Sequence, residues 1–254
     1  MGFLEIDRRG LFAVGIALLM SISAIAYAGY LGSQARKAGA TVPIIAISPT
    51  PTILASPSPS PSAAPSPSPP MRTMAFLGDS WTLGDSFAAA TAAQVGMTYR
   101  ADAVAGTGYA NGGGPTTPGP DPFSSRTTRF EAFSPDVAVI AGGQSDSTWN
   151  STTVEKDATG LLAKLKQDLS HATIVVVGPF SSSGQPAPTL LATRDAISNA
   201  AKASGLALID PIAEQWVTNA NAAQYVGPDG NPTAEGHKYL ASRLVADLRQ
   251  LKLV

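Results

Sequence analysis

Residues 71–254 are predicted to form an α/β domain, a three-layer α/β/α sandwich around a parallel sheet, and three features of the chain predict it. Short apolar runs bounded by turns alternate with longer, helix-compatible stretches. The apolar runs are continuous, as in strands covered on both faces. The turns after the first three runs are rich in glycine and polar residues, and right-handed crossovers gather such turns along one edge of a parallel sheet.

The first strand is read at 74–77 (Met-Ala-Phe-Leu), ending at Gly78. Alanine-rich 87–95 suits a helix, 98–104 a second strand, and 106–122 a long Gly/Pro/Asn loop of the kind that serves a site. A third strand is expected at 137–141 and an amphipathic helix at 154–169, with Lys156, Lys164 and Lys166 on its solvated face. A β-branched fourth strand at 174–177, a helix at 190–203, a fifth strand at 206–209 and a closing helix at 234–251 complete the order. Thr233 is placed to cap that last helix.

Two segments precede the domain. Gly10 to Ala35 contains no charged residue, and Leu11 to Leu31 is long and apolar enough to span a bilayer as a helix. Arg8 and Arg9 before it resemble a twin-arginine signal, and they keep that end cytoplasmic. Residues 1–40 are therefore expected to be a membrane anchor, or a signal segment cleaved after Ala26-Tyr27-Ala28. Either way the domain is extracytoplasmic, membrane-anchored or secreted. Residues 41–70, with Ser56-Pro57-Ser58-Pro59-Ser60-Pro61, read as an extended Pro/Ser linker.

Composition removes several function classes. The chain has 17 Lys+Arg against 18 Asp+Glu, so no basic field attracts nucleic acid. There is no cysteine, which excludes disulfides and thiolate chemistry, and His171 and His237 are the sole imidazoles. No metal-ligand spacing is present, and no cofactor is implied.

Gly78-Asp79-Ser80-Trp81 follows the first strand at once, placing a serine hydroxyl on the turn into a helix at the site edge. Ala105-Gly106-Thr107-Gly108-Tyr109 follows the second strand and Gly142-Gly143-Gln144-Ser145-Asp146 the third. Pro228-Asp229-Gly230-Asn231-Pro232-Thr233-Ala234-Glu235-Gly236-His237 precedes the last helix. In this order the four blocks resemble those of the SGNH (GDSL-type) serine hydrolases.

The resemblance implies a flavodoxin-like sheet, Ser80 as nucleophile, and an oxyanion hole formed by the N–H groups of Ser80 and of Gly106 or Gly108. Ser145 stands where the family has an asparagine donor, and Gln144 is a neighbouring substitute. Asp229 matches the acidic residue if one position is deleted. The family's histidine is missing: either Asn231 replaces it, or it is lost from between Asn231 and Pro232. A hydroxyl attacks poorly until a base accepts its proton, and asparagine is no such base. His237 is the candidate replacement base, with a helix-face role as the alternative. His171 is expected at the opposite sheet edge, and Asp79 and Asp146 as loop scaffolding.

Trp81, Trp149 and Tyr109 are candidates for an aromatic wall at the site or for the margin of the core, and Trp216 for the core itself. The function implied is a serine esterase or acyl-transfer enzyme acting on a small-molecule or glycan ester, or on a lipid ester, with the membrane as a further partner. The rival is an impaired relative that binds a glycan or acyl group without turnover.

Overall fold

The computed structural model of the 254-residue chain describes residues 70–84, 86–114 and 121–254. The expected N-terminal membrane segment, and the linker up to position 69, lie outside these residues. So does part of the loop at 106–122. Among the described residues, no helix is long and apolar enough to cross a membrane.

Five strands form one sheet: β1 (Thr73–Gly78), β2 (Thr98–Ala103), β3 (Val137–Ala141), β4 (Thr173–Val177) and β5 (Ala207–Ile209). All pairings are parallel, and the order is β2-β1-β3-β4-β5. The chain thus runs to one side for β2 and to the other for β3 to β5. Loops diverge at such a switch point, which opens a crevice at the strand C-termini beside β1 and β3.

The helices are α1 (Phe87–Gln94), α2 (Thr127–Glu131), α3 (Ser151–Asp168), α4 (Pro188–Ser204), α5 (Ala222–Tyr225) and α6 (Ala234–Gln250). Alternate strand residues point to opposite faces, and both faces are buried. Ala75, Leu77, Ala138, Ile140 and Val176 pack beneath α3 and α4, with Leu162 and Ile197 among their partners. Met74, Phe76, Val139, Val175 and Val177 pack against α1 and α6 through Phe87 and Leu244. This double coverage makes the strands read as unbroken apolar runs.

Helix starts follow local chemistry. α3 begins three residues before the expected position because the Asn150 side chain accepts the Thr152 N–H at 2.9 Å. α4 begins at Pro188, whose missing N–H is no loss in a first turn. Thr233 caps α6, its Oγ1 accepting the Gly236 N–H at 2.9 Å. The sequence reading missed α2, α5 and the 3₁₀ turns at Ser80–Thr82, Phe123–Arg126 and Gln144–Thr148. Each is too short to show a periodicity. Lys156, Lys164 and Lys166 are exposed on α3 as expected.

Candidate active site

The nucleophile turn depends on a missing side chain. A Cβ on Gly78 would stand 2.2 Å from Thr82 Oγ1 and 2.9 Å from the Ala141 carbonyl oxygen, so only glycine lets β1 turn here beside β3. Asp79 then caps the turn, its Oδ1 accepting the Trp81 N–H at 3.0 Å. The Thr82 hydroxyl donates to the Asp79 carbonyl at 2.8 Å. Ser80 opens the resulting 3₁₀ turn and is half-buried.

The Gly106 N–H donates to Ser80 Oγ at 3.1 Å. Gly106 has φ +72°, a conformation that glycine adopts without strain, and nothing within 4 Å would meet a Cβ there. An ester carbonyl brought onto Oγ would carry its oxygen within reach of this donor. Gly108, the other candidate from the sequence, is differently employed. Its N–H donates to the Asn111 carbonyl at 2.8 Å, and a Cβ on it would lie 2.1 Å from Asp146 Oδ2. The glycine facing Ser80 is Gly106, and Gly108 makes room for a buried carboxylate.

That carboxylate organises the loop. Asp146 is fully buried; its Oδ1 accepts the N–H groups of Ala110 and Asn111 at 2.9 and 2.8 Å, and its Oδ2 that of Tyr109 at 2.8 Å. Burial raises its pKa, against the pull of these three bonds. Asn111 Nδ2 in turn donates to the Ser145 carbonyl at 2.8 Å. Ser145 is thereby tied through its backbone. The neighbouring Gln144 accepts the Phe180 N–H at 3.4 Å, while its buried Nε2 has no partner among the described residues.

Asp79 is the most perturbed carboxyl near Ser80. Its Oδ2 is buried without a partner among the described residues. Burial, with Asp146 nearby, pushes it from 3.8 up to about 7, opposed by the Trp81 N–H. The folded chain therefore keeps a proton that the unfolded chain releases, and this carboxyl withdraws stability as pH rises from about 4 to about 7. Asp79→Asn keeps the cap acceptor and has no proton to lose. It is expected to be more stable than the parent at pH 8 and close to it at pH 4. Urea unfolding at both pH values checks this.

No imidazole is offered to Ser80 as a base. His237, on α6, accepts the Phe87 N–H at Nδ1, 3.1 Å away. The Ser86 hydroxyl donates to Thr82 and leaves the start of α1 uncapped, so the imidazole supplies the acceptor there. With Nδ1 accepting, the neutral ring carries its proton on Nε2 and has no lone pair left for a hydroxyl. Burial lowers the pKa of this ring. The expectation of His237 as base gives way to that of a helix-capping residue. His171 is exposed in the turn entering β4, at the opposite end of the sheet from the Ser80 turn.

Asp229 is exposed and engaged with Asn231. Its Oδ1 accepts the Asn231 N–H at 3.1 Å and its Oδ2 the Asn231 side-chain amide at 3.0 Å. The side-chain bond is the main reason its carboxyl lies below the ordinary value. Asp229 is thus paired with Asn231, which stands in the histidine's place on one of the two readings of this block. No cluster of three metal-ligating side chains occurs among the described residues.

Beside Trp81 a cleft of about 360 Å³ opens between the turns after β1, β3 and β4. Trp81 stacks on Phe180 at 4.9 Å. Around this pair lie Gln144, Ser147, Ser181 to Gln185, the start of α4, and Gly230 from the Asp229 loop. Trp81 is itself only 5% exposed and packs in one core cluster with Phe76 and Phe180, and the other two aromatics proposed as a wall also pack on the core. Tyr109 is buried against Phe123, and Trp149 packs on the same cluster. Trp216 is fully buried, as expected.

Sequence reasoning passed over Arg126, which is 0% exposed and donates to Asp102, Gly78 and Thr107. A single arginine between Ser125 and Thr127 resembles a solvated residue, and nothing in its spacing reveals otherwise.

Comparison with known proteins identifies relatives of the chain and of its fold. A family model for the GDSL-like lipase/acylhydrolase family matches residues 76–239. The chain is 31% identical over 206 residues to the GDSL lipase Rv0518 of Mycobacterium tuberculosis (strain ATCC 25618 / H37Rv), covering 72% of this chain and 84% of that protein. A family two carbohydrate esterase from Clostridium thermocellum, solved in complex with cellohexaose, has a similar fold. Its TM-score is 0.57 at 20% identity, over 74% of this chain and 67% of that one. A Lactobacillus plantarum protein gives a TM-score of 0.59 at 17% identity, over 71% and 97% of the two chains. With the Ser80 turn at the end of β1, and a match that spans every strand of the sheet, the chain belongs to the GDSL-like lipase/acylhydrolase family.

Proposed function

We propose that the chain is an extracytoplasmic ester hydrolase or acyl-transfer enzyme acting through Ser80 on an acylated glycan or a lipid ester. The observation that carries this reading is the 3.1 Å contact between the Gly106 N–H and Ser80 Oγ. In the reaction Ser80 Oγ bonds to the ester carbonyl carbon, its proton passes to solvent, and the carbonyl oxygen takes up negative charge beside Gly106. The ester C–O bond then breaks, releasing the alcohol, and water or an acceptor alcohol removes the acyl group. Without an imidazole to accept its proton, the Ser80 hydroxyl attacks only slowly. Slow turnover is expected here. The cleft beside Trp81 favours a glycan ester, because hydroxyl and amide side chains such as Ser147, Ser182 and Gln185 line it.

A second reading is favoured by the occupied Nδ1 of His237 and by Asn231: a binding protein without turnover. Both are tested on the full chain with acetylated sugars, long-chain acyl esters and a fluorophosphonate. The hydrolase reading expects Ser80 to be labelled, and Ser80→Ala to abolish labelling and at least tenfold of the ester turnover. If Ser80 is never labelled and turnover equals that of Ser80→Ala, the enzyme reading is lost, and retained sugar binding then supports the second.

A further inference from the structure

We infer that Arg126 is a positioning residue, a buried clamp that holds the Ser80 turn and the Gly106 turn in register. The inference rests on the hydrolase reading for its kinetic test and on geometry for the rest. The guanidinium is 0% exposed and lies 5.0 Å from the centre of the Phe123 ring. Its Nη1 donates to the Asp102 carbonyl at 3.0 Å and to Asp102 Oδ1 at 3.1 Å. Its Nη2 donates to the Gly78 carbonyl at 2.9 Å and to Thr107 Oγ1 at 3.0 Å. One planar group thus ties the end of β2 to a residue two before the nucleophile and to the residue directly after the Gly106 donor.

Neutralising Asp102 does not account for this arrangement. Arg129 already meets that carboxylate at 2.8 Å with Nε and 3.2 Å with Nη2. Burying a guanidinium is costly, and a second cation on a carboxylate that already has one is a poor return for it. The bonds to Gly78 and Thr107 are what Arg126 adds. They matter because the other links on the Gly106 turn are mostly local. Thr107 bonds back to Val104 through its N–H at 3.4 Å and its hydroxyl at 2.7 Å, and Val104 N–H reaches Gly78 at 3.2 Å. Arg126 Nη2 supplies a second bridge from that turn to β1, with the angle between its two hydrogens fixed by the guanidinium plane. Lysine, with a flexible stem and one nitrogen, cannot span the same three segments.

The test uses Arg126→Lys and Thr107→Val in the full chain. Thr107→Val keeps the side-chain shape but removes both the acceptor of Arg126 and the hydroxyl's own bond to the Val104 carbonyl, and it carries the test should Arg126→Lys fail to fold. Each variant is expected to lower kcat on an acetyl ester roughly 10–100-fold with KM within about twofold, as misplacement of a reacting group does. The double variant is expected to lose less than the product of the two single losses, since the substitutions share the bond from Arg126 Nη2 to Thr107 Oγ1. In parallel, amide exchange at Gly106 and Thr107 is expected to quicken in each folded variant by more than any loss of global stability accounts for. Unchanged kcat and unchanged exchange in folded variants overturn the inference, and so does a rise in KM alone. If the parent chain shows no ester turnover, the hydrolase reading fails by itself, and the exchange measurement still decides whether Arg126 holds the turn.

Discussion

Asp146→Ala is expected to remove roughly 3–9 kcal/mol of folding stability, because three buried N–H groups lose their acceptor and each such loss costs about 1–3 kcal/mol. Domains of this kind hold about 5–15 kcal/mol in total, so the variant is expected to be marginal at room temperature. Asp146→Asn separates the acceptor role from the charge. Its remaining oxygen still serves Ala110 and Asn111, while its new NH₂ opposes the Tyr109 N–H that Oδ2 accepts in the parent. About 1–3 kcal/mol is expected for this single mismatch. Denaturant unfolding of the three proteins gives the order parent, Asn variant, Ala variant. Equal stability of the two variants would mean that the 109–111 amides find other acceptors.

Asn231→His is expected to raise ester turnover by about 10²–10⁴-fold, the usual worth of a positioned general base. Asp229 Oδ2 already accepts a side-chain N–H from position 231 at 3.0 Å. A histidine there can donate Nδ1–H to the same oxygen and leave the Nε2 lone pair free. The neighbouring Gly230 lines the cleft that Trp81 also lines, so the loop reaches the nucleophile's side of the sheet. The gain is expected to vanish in the double variant with Ser80→Ala, and to follow the ionisation of an imidazole with pH. Absence of any gain, with the variant folded, would mean that the Asp229 loop holds position 231 away from Ser80.

Most of the fold was legible in the sequence because a parallel sheet buried on both faces writes itself as apolar runs. Strands such as Val137–Ala141 needed nothing more. The nucleophile turn was legible too, since Gly78-Asp79-Ser80 sits directly after such a run. Other features depended on contacts between residues far apart in the chain. The choice between Gly106 and Gly108 turns on where the Asp146 carboxylate lies, 38 residues beyond Gly108. The role of His237 is set by the Phe87 amide, 150 residues away. Arg126 carried no signal, because the groups it binds, two backbone carbonyls, a threonine hydroxyl and the Asp102 carboxylate, lie on other segments.

The lining of the cleft beside Trp81 has a consequence for how a ligand meets it. Every described side chain there is neutral. Mobile ions then have no local charge to shield, and affinity for an uncharged ligand should hold steady from dilute buffer to concentrated brine.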